Sequence, residues 1–229
     1  SKDVVFMGRT FNSDSLQTYT ISLAFLIIAA LSPLLSSMAD YSGKKKKYMF
    51  FFSTMGAISC SALYFFSDLN TLYIGVFGSL LAAIGWAGSI VFYNAFLPEI
   101  AEPVDQDRVS AQGFSMGYIG SSLLLIFSLT MILFPQWYGN ISGGMATRLS
   151  FLLVGVWWFG FAQITFNHLP DNPYNRKKEG NIISKGYLEL KKVWSELKDT
   201  PRLKSFLASF FFYNLGNQTV LFVSPFFVV

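Results

Sequence analysis

Six continuous apolar runs, at 16–39, 48–66, 72–97, 109–134, 146–167 and 205–228, constrain this chain more than anything else in it. Each approaches or exceeds the roughly 20 residues that a helix needs to cross a bilayer's hydrocarbon core. Arg148, third in the fifth run, is their only Asp, Glu, Lys or Arg. A membrane β-strand needs only about 9–11 residues of alternating polarity, so the length and continuity of the runs predict helices. Composition agrees: 52% of residues are hydrophobic and 13% charged, whereas soluble domains carry roughly 25% charged residues to cover their cores. The expected fold class is all-α, a polytopic transmembrane helical bundle.

The few charges set its orientation. Of seventeen Lys and Arg, fourteen fall after the first, third and fifth runs: Lys44 to Lys47, Arg108, and nine between 176 and 204. Lys2, Arg9 and Arg148 alone fall on the other side. The positive-inside rule puts the fourteen in the cytoplasm and both ends of the chain outside. With no leader sequence to carry it there, an outside amino terminus leads us to expect a preceding span beyond this chain. The net charge of +4 is thus a matter of topology, and no nucleic-acid partner is expected. Lys44, Lys45, Lys46 and Lys47 could bind anionic headgroups, each worth about 1 kcal/mol near the surface.

The segment 168–204 opens with Pro170, Asn172 and Pro173 as a turn-rich exit. Within it Tyr187, Leu190, Trp194 and Leu197 recur at helical spacing, with lysines on other faces. Such a helix either lies along the inner membrane surface or serves as a solvated linker. Thr200 and Pro201 read as the cap and first turn of the sixth helix.

The chain has one cysteine, Cys60, and one histidine, His168. An intrachain disulfide is impossible, and a buried catalytic pair or metal-ligand set has nothing to be built from. We therefore expect no enzyme, catalytic residue, metal site or cofactor. Buried polar groups are better candidates for binding a solute. Asn214 and Gln218 share a helical face, with Asn217 three residues from Asn214, all mid-run. Amides in hydrocarbon must face a cavity, water or another helix, so solute binding and interhelical hydrogen bonding both remain open. Trp86, Tyr93 and Asn94 could add an aromatic and amide wall suited to an uncharged or zwitterionic solute, although ordinary packing would also account for them. Gly113, Gly117 and Gly120 have the small-residue spacing of a helix-packing face.

The junction at 36–45, Ser-Ser-Met-Ala-Asp-Tyr-Ser-Gly-Lys-Lys, resembles the signature loop between the second and third spans of the major facilitator superfamily. Asp40, Gly43, Lys44 and Lys45 match it, while Ser36 stands where glycine is usual and Tyr41 where arginine is usual. Together with Tyr93-Asn94-Ala95-Phe96-Leu97-Pro98-Glu99-Ile100, Asp107-Arg108-Val109-Ser110-Ala111-Gln112-Gly113 and Asn214-Leu215-Gly216-Asn217-Gln218-Thr219-Val220, the loop resembles the vacuolar effluxer branch, the autophagy-associated amino-acid exporters of yeast and their bacterial homologues. The resemblance implies an incomplete major-facilitator-like bundle covering the family's second to seventh spans. It would have five helices of the N-terminal half in 1–167, a cytoplasmic central linker in 168–204 and the first helix of the C-terminal half in 205–229. It implies a secondary transporter, an exporter of small organic solutes with amino acids favoured, working by alternating access with the remaining spans of the same transporter. Asp40, Gly43, Lys44 and Lys45 would form a conformational gate on the cytoplasmic side, and a bacterial cytoplasmic membrane is favoured over a vacuolar one. A non-transporting membrane scaffold or a channel subunit is the alternative.

Overall fold

A computed structural model describes residues 3–41, 44–171, 188, 191–192, 195, 197 and 200–223, with side chains for all of these except 37–38, 40–41, 218–219 and 221–223. Its helices are α1 (Ser13–Tyr41), α2 (Lys45–Ala62), α3 (Leu72–Asn94), the short α4 (Leu97–Ile100), α5 (Gln106–Leu133), α6 (Gly143–His168) and α7 (Pro201–Val223). The first five apolar runs thus become α1, α2, α3, α5 and α6, each long and apolar enough to cross a membrane. The sixth lies in α7, and its last residues, 224–228, fall outside the described residues.

Local chemistry sets several of the boundaries. Asn12 caps α1, its Oδ1 accepting from Asp14 N at 3.0 Å, and Ser142 Oγ caps α6 by accepting from Met145 N at 3.2 Å. Asp68 Oδ1 accepts from Asn70 N and Thr71 N at 2.9 and 3.2 Å while Thr71 Oγ1 accepts from Asp68 N at 3.1 Å. This reciprocal cap closes the turn that leads into α3. Pro33 lies inside α1, where it removes one donor from the helical ladder.

Ahead of α1 stands a β-hairpin, β1 (Asp3–Phe6) with β2 (Arg9–Asn12), pairing Val4 with Phe11 and Phe6 with Arg9. Met7 and Gly8, at φ 49° and 75°, form the left-handed two-residue turn that suits the strands' twist. Phe6 packs its ring 6.4 Å from that of Phe77 in α3, and Phe11 lies 6.5 Å from Tyr19 in α1.

The long helices pack side by side in the spatial order α1, α3, α2, α6, α5. Small residues let α2 sit at the centre: Ser53, Gly56, Ala57, Ser59 and Cys60 are all buried. A Cβ on Gly85 of α3 would lie 2.5 Å from Gly56 Cα, and one on Gly155 of α6 would lie 2.6 Å from the Ala57 carbonyl oxygen. These are backbone-to-backbone approaches that only glycine allows. By contrast α5 buries only Ser128 and Met131, and every described side chain of α7 is exposed except the half-buried Asn214.

A core cluster of buried residues sits at one end of the bundle, formed by Ile28, Leu35 and Ala39 of α1, Met49 of α2, Phe92 of α3, Phe96 just past it, and Phe166 of α6. That is the end carrying Lys44 to Lys47. At the opposite end Arg148 Nε donates to the Tyr64 carbonyl, and the guanidinium stacks 4.8 Å over the Tyr64 ring.

The charge distribution makes a direct prediction. A cysteine at Asn70 should be labelled by an impermeant maleimide from the non-cytoplasmic side, and one at Lys178 only after permeabilisation. Buried Cys60 should contribute little background. Labelling of the Lys178 position in sealed cells would reverse the assigned orientation.

Candidate functional site

Lys45, the first residue of α2, points into the bundle. Its Nζ donates to Glu99 Oε1 at 2.6 Å and to the Ala95 carbonyl at 2.9 Å, and it lies 5.1 Å from the centre of the Phe96 ring. The two side chains are 8% and 4% exposed. The backbone explains how Glu99 comes to be there. α3 stops at Asn94, Ala95 and Phe96 turn, and α4 restarts with Pro98 in its first turn, so Glu99 projects back toward α2. The Ala95 carbonyl belongs to the end of a helix, where carbonyls lack intrahelical partners and the dipole favours a cation. Phe92 and Phe96, at 0% and 1% exposure, keep water from the pair. Glu99 Oε2 is buried without a hydrogen-bond partner among the described residues.

The next lysine ties down a second helix end. Lys46 Nζ donates to the Leu169 carbonyl, just past α6, at 2.7 Å, and pairs with Asp171 Oδ1 at 3.1 Å. Successive lysines at the start of α2 therefore hold the ends of α3 and α6, while Lys44 and Lys47 are exposed.

This corrects the expectation that all four lysines face headgroups. Lys45 is buried and paired, so its ammonium is not open to a headgroup. Of the expected gate, Lys45 makes the buried contact with Glu99. Lys44 stands at the N-cap of α2, Asp40 is described only as backbone in the last turn of α1, and Gly43 lies outside the described residues. Glu99 lies in a stretch that carries the family resemblance, but the sequence assigns it no role. Its signal was a carboxylate just beyond an apolar run, after a proline that restarts the helix, at the same membrane edge as the lysines.

The residues expected to bind solute are not assembled into one pocket. Trp86 sets its ring edge-on to Phe25 of α1 at 6.3 Å and is 44% exposed. Tyr93 reaches α5, its Oη 2.7 Å from where a Cβ on Gly113 would stand. Asn94 is exposed at the end of α3. On α7 Asn214 is half-buried, Asn217 is exposed and the side chain of Gln218 lies outside the described residues. Among the described residues α7 has no extensive packing against α3. The α5 glycines differ from one another: Gly113 meets Tyr93, Gly120 would place a Cβ 3.8 Å from Trp157 Nε1, and Gly117 faces open space among the described residues. His168 Nδ1 donates to the Ile164 carbonyl of its own helix at 2.7 Å.

Comparison with known proteins identifies the family. Residues 1–228 match the family model described as vacuole effluxer Atg22 like. The chain is 35% identical to the uncharacterized MFS-type transporter YxiO of Bacillus subtilis (strain 168), over 90% of this chain and 48% of that protein. It is 25% identical to autophagy-related protein 22-2 of Aspergillus oryzae, over 95% of this chain and 48% of that protein. The chain thus spans about half the length of the curated relatives it matches. No solved structure matches it. The family's name describes transport rather than catalysis. Membrane-length helices, the loop leading into buried Lys45 and a family match along nearly its whole length lead to one assignment: the chain belongs to the vacuole effluxer Atg22-like family of major-facilitator-type membrane proteins.

Proposed function

We propose that this chain forms the greater part of one half of a secondary transporter, with the linker 168–204 and the opening helix of the second half, and that the complete protein exports small zwitterionic or neutral organic solutes by alternating access. The observation that carries the reading is the buried Lys45–Glu99 pair within the Phe92 and Phe96 core. It fastens α2 to the α3–α4 turn, and the same core includes residues of α1 and α6, so these helices are suited to move as one body. Alternating access is largely the rocking of such bodies about a central site. The sparsely covered faces of α5 and α7 are where the remaining spans would pack. Amino acids are the solute class to test first, on the strength of the resembling branch alone. The bacterial relative at 35% identity favours a bacterial cytoplasmic membrane. Exposed Lys44 and Lys47 would meet the headgroups there.

In this reading Asn214, Asn217 and Gln218 face Trp86, Tyr93 and Asn94 across the cavity of the complete transporter, and Asp40, Gly43 and Lys44 join Lys45 in governing the conformational equilibrium. The test uses the full-length protein in proteoliposomes. Solute inside should accelerate uptake from outside, a counterflow that neither a channel nor a scaffold produces. Asn214→Ala and Gln218→Ala should each weaken solute binding about ten- to a hundredfold, the cost of a lost hydrogen bond to a charged ligand group. Unchanged binding in both variants would return these amides to helix packing. Asp40→Asn should lower turnover more than affinity, and a tenfold loss of affinity at unchanged turnover would remove it from the gate.

A further inference from the structure

Where α2 begins and α6 ends lies an open recess of about 350 Å³ lined by Lys46, Lys47, Phe50, Phe166 and Asp171. We propose that it is a binding site for one anionic phospholipid, whose phosphate sits by Lys46 and Lys47 and whose upper acyl chain lies on Phe50 and Phe166. The inference deepens the reading of this end as a membrane edge and needs no statement about the transported solute.

Three observations select the occupant. The first is position, because the recess is made where α2 begins and α6 ends, at the level where a helix bundle passes from hydrocarbon to headgroups. The second is the aromatic wall. Phe50 and Phe166 meet edge to face at 5.1 Å, with Phe50 43% exposed, which offers apolar surface that a free anion cannot use. The third is charge. Two ammonium groups and the Asp171 carboxylate leave the lining one positive charge, which complements the single negative charge of a phosphodiester. Lys46 is already held by Asp171 and the Leu169 carbonyl, so Lys47, exposed, is the cation with most freedom to meet the lipid. Asp171, 88% exposed, competes with the phosphate for Lys46. Lipid binding and the Lys46–Asp171 contact therefore oppose one another, and the two kinds of substitution should act with opposite sign.

Native mass spectrometry of the full-length protein in detergent reads this directly, with phosphatidylglycerol, phosphatidylethanolamine and phosphatidylcholine of identical acyl chains as probes. One phosphatidylglycerol should be retained in preference to the other two. Lys46→Ala with Lys47→Ala should weaken its binding about thirtyfold, and Lys47→Ala alone should weaken it severalfold without touching the Leu169 contact. Asp171→Asn should tighten it severalfold. Millimolar inorganic phosphate should not displace the lipid. Equal retention of the three lipids, displacement by phosphate, or unchanged affinity in the lysine variants would each overturn the site. Solute flux enters none of these readouts, so a failed lipid site and a failed transport reading remain distinguishable.

Discussion

Replacing Glu99 by alanine is expected to destabilise the full-length protein by about 3–5 kcal/mol, the cost of leaving one member of a buried ion pair charged and alone. Lys45 would keep the Ala95 carbonyl as a hydrogen-bond acceptor, but its charge would face the Phe96 ring in a site where side-chain exposure is 8%. Lys45→Ala should be comparably damaging, since it strands a carboxylate that is 4% exposed. The double variant Lys45→Met, Glu99→Leu should recover most of the loss, because well-packed apolar replacements of a buried pair are often neutral or better. Thermal unfolding in detergent of the parent and the three variants measures these differences. Single variants each within about 0.5 kcal/mol of the parent would mean that the pair is solvated and of the surface kind. If the pair also favours one state of an alternating-access cycle, the stable double variant should still transport slowly. That outcome would separate a gating role from a purely structural one.

The parts of this fold legible in the sequence were those written locally. Long apolar runs announce α1, α2, α3, α5 and α6 because nothing but a helix can carry that many apolar residues through a bilayer. The end of α3 was misread by a few residues for a physical reason. The run continues through Ala95 and Phe96, which are part-buried and buried, Phe96 at 1% exposure, so hydrophobicity gives no sign of a stop. The hairpin before α1 escaped because its strands have four residues each and its turn is Met-Gly rather than the Asn-Gly or Asp-Gly that signals a hairpin. The lysine run reads as a surface feature, although Lys45 is buried with a partner 54 positions away. No local pattern distinguishes the lysine that turns inward. Spacing placed Asn214 and Gln218 on one face of a helix, but it cannot say what that face meets.

The same limit applies to glycine, and here it yields a prediction whose sign changes with position. Gly85→Ala and Gly155→Ala should destabilise the protein by about 1–3 kcal/mol or more, as overpacking does when the opposing atoms cannot yield. At Gly85 the added methyl would stand 2.5 Å from Gly56 Cα and 2.7 Å from the Phe52 carbonyl oxygen, and at Gly155 it would stand 2.6 Å from the Ala57 carbonyl oxygen. These neighbours are backbone, so α2 would have to move away from α3 or α6. Gly88→Ala should cost less, because its methyl would meet the Phe52 ring at 2.5 Å and a side chain can turn. Gly160→Ala, with open space around it, should instead stabilise its helix by up to about 1 kcal/mol. Gly117→Ala belongs with Gly160 as far as the described residues go, although spacing alone had put Gly117 in a packing face. Thermal unfolding of the four substitutions at 85, 155, 160 and 117 in the full-length protein is the measurement. Destabilisation at 117 to match that at 85 would reveal a neighbour packed against α5 beyond the described residues. Destabilisation at 160 equal to that at 155 would contradict the packing order of α2, α3 and α6 on which the buried Lys45–Glu99 pair depends.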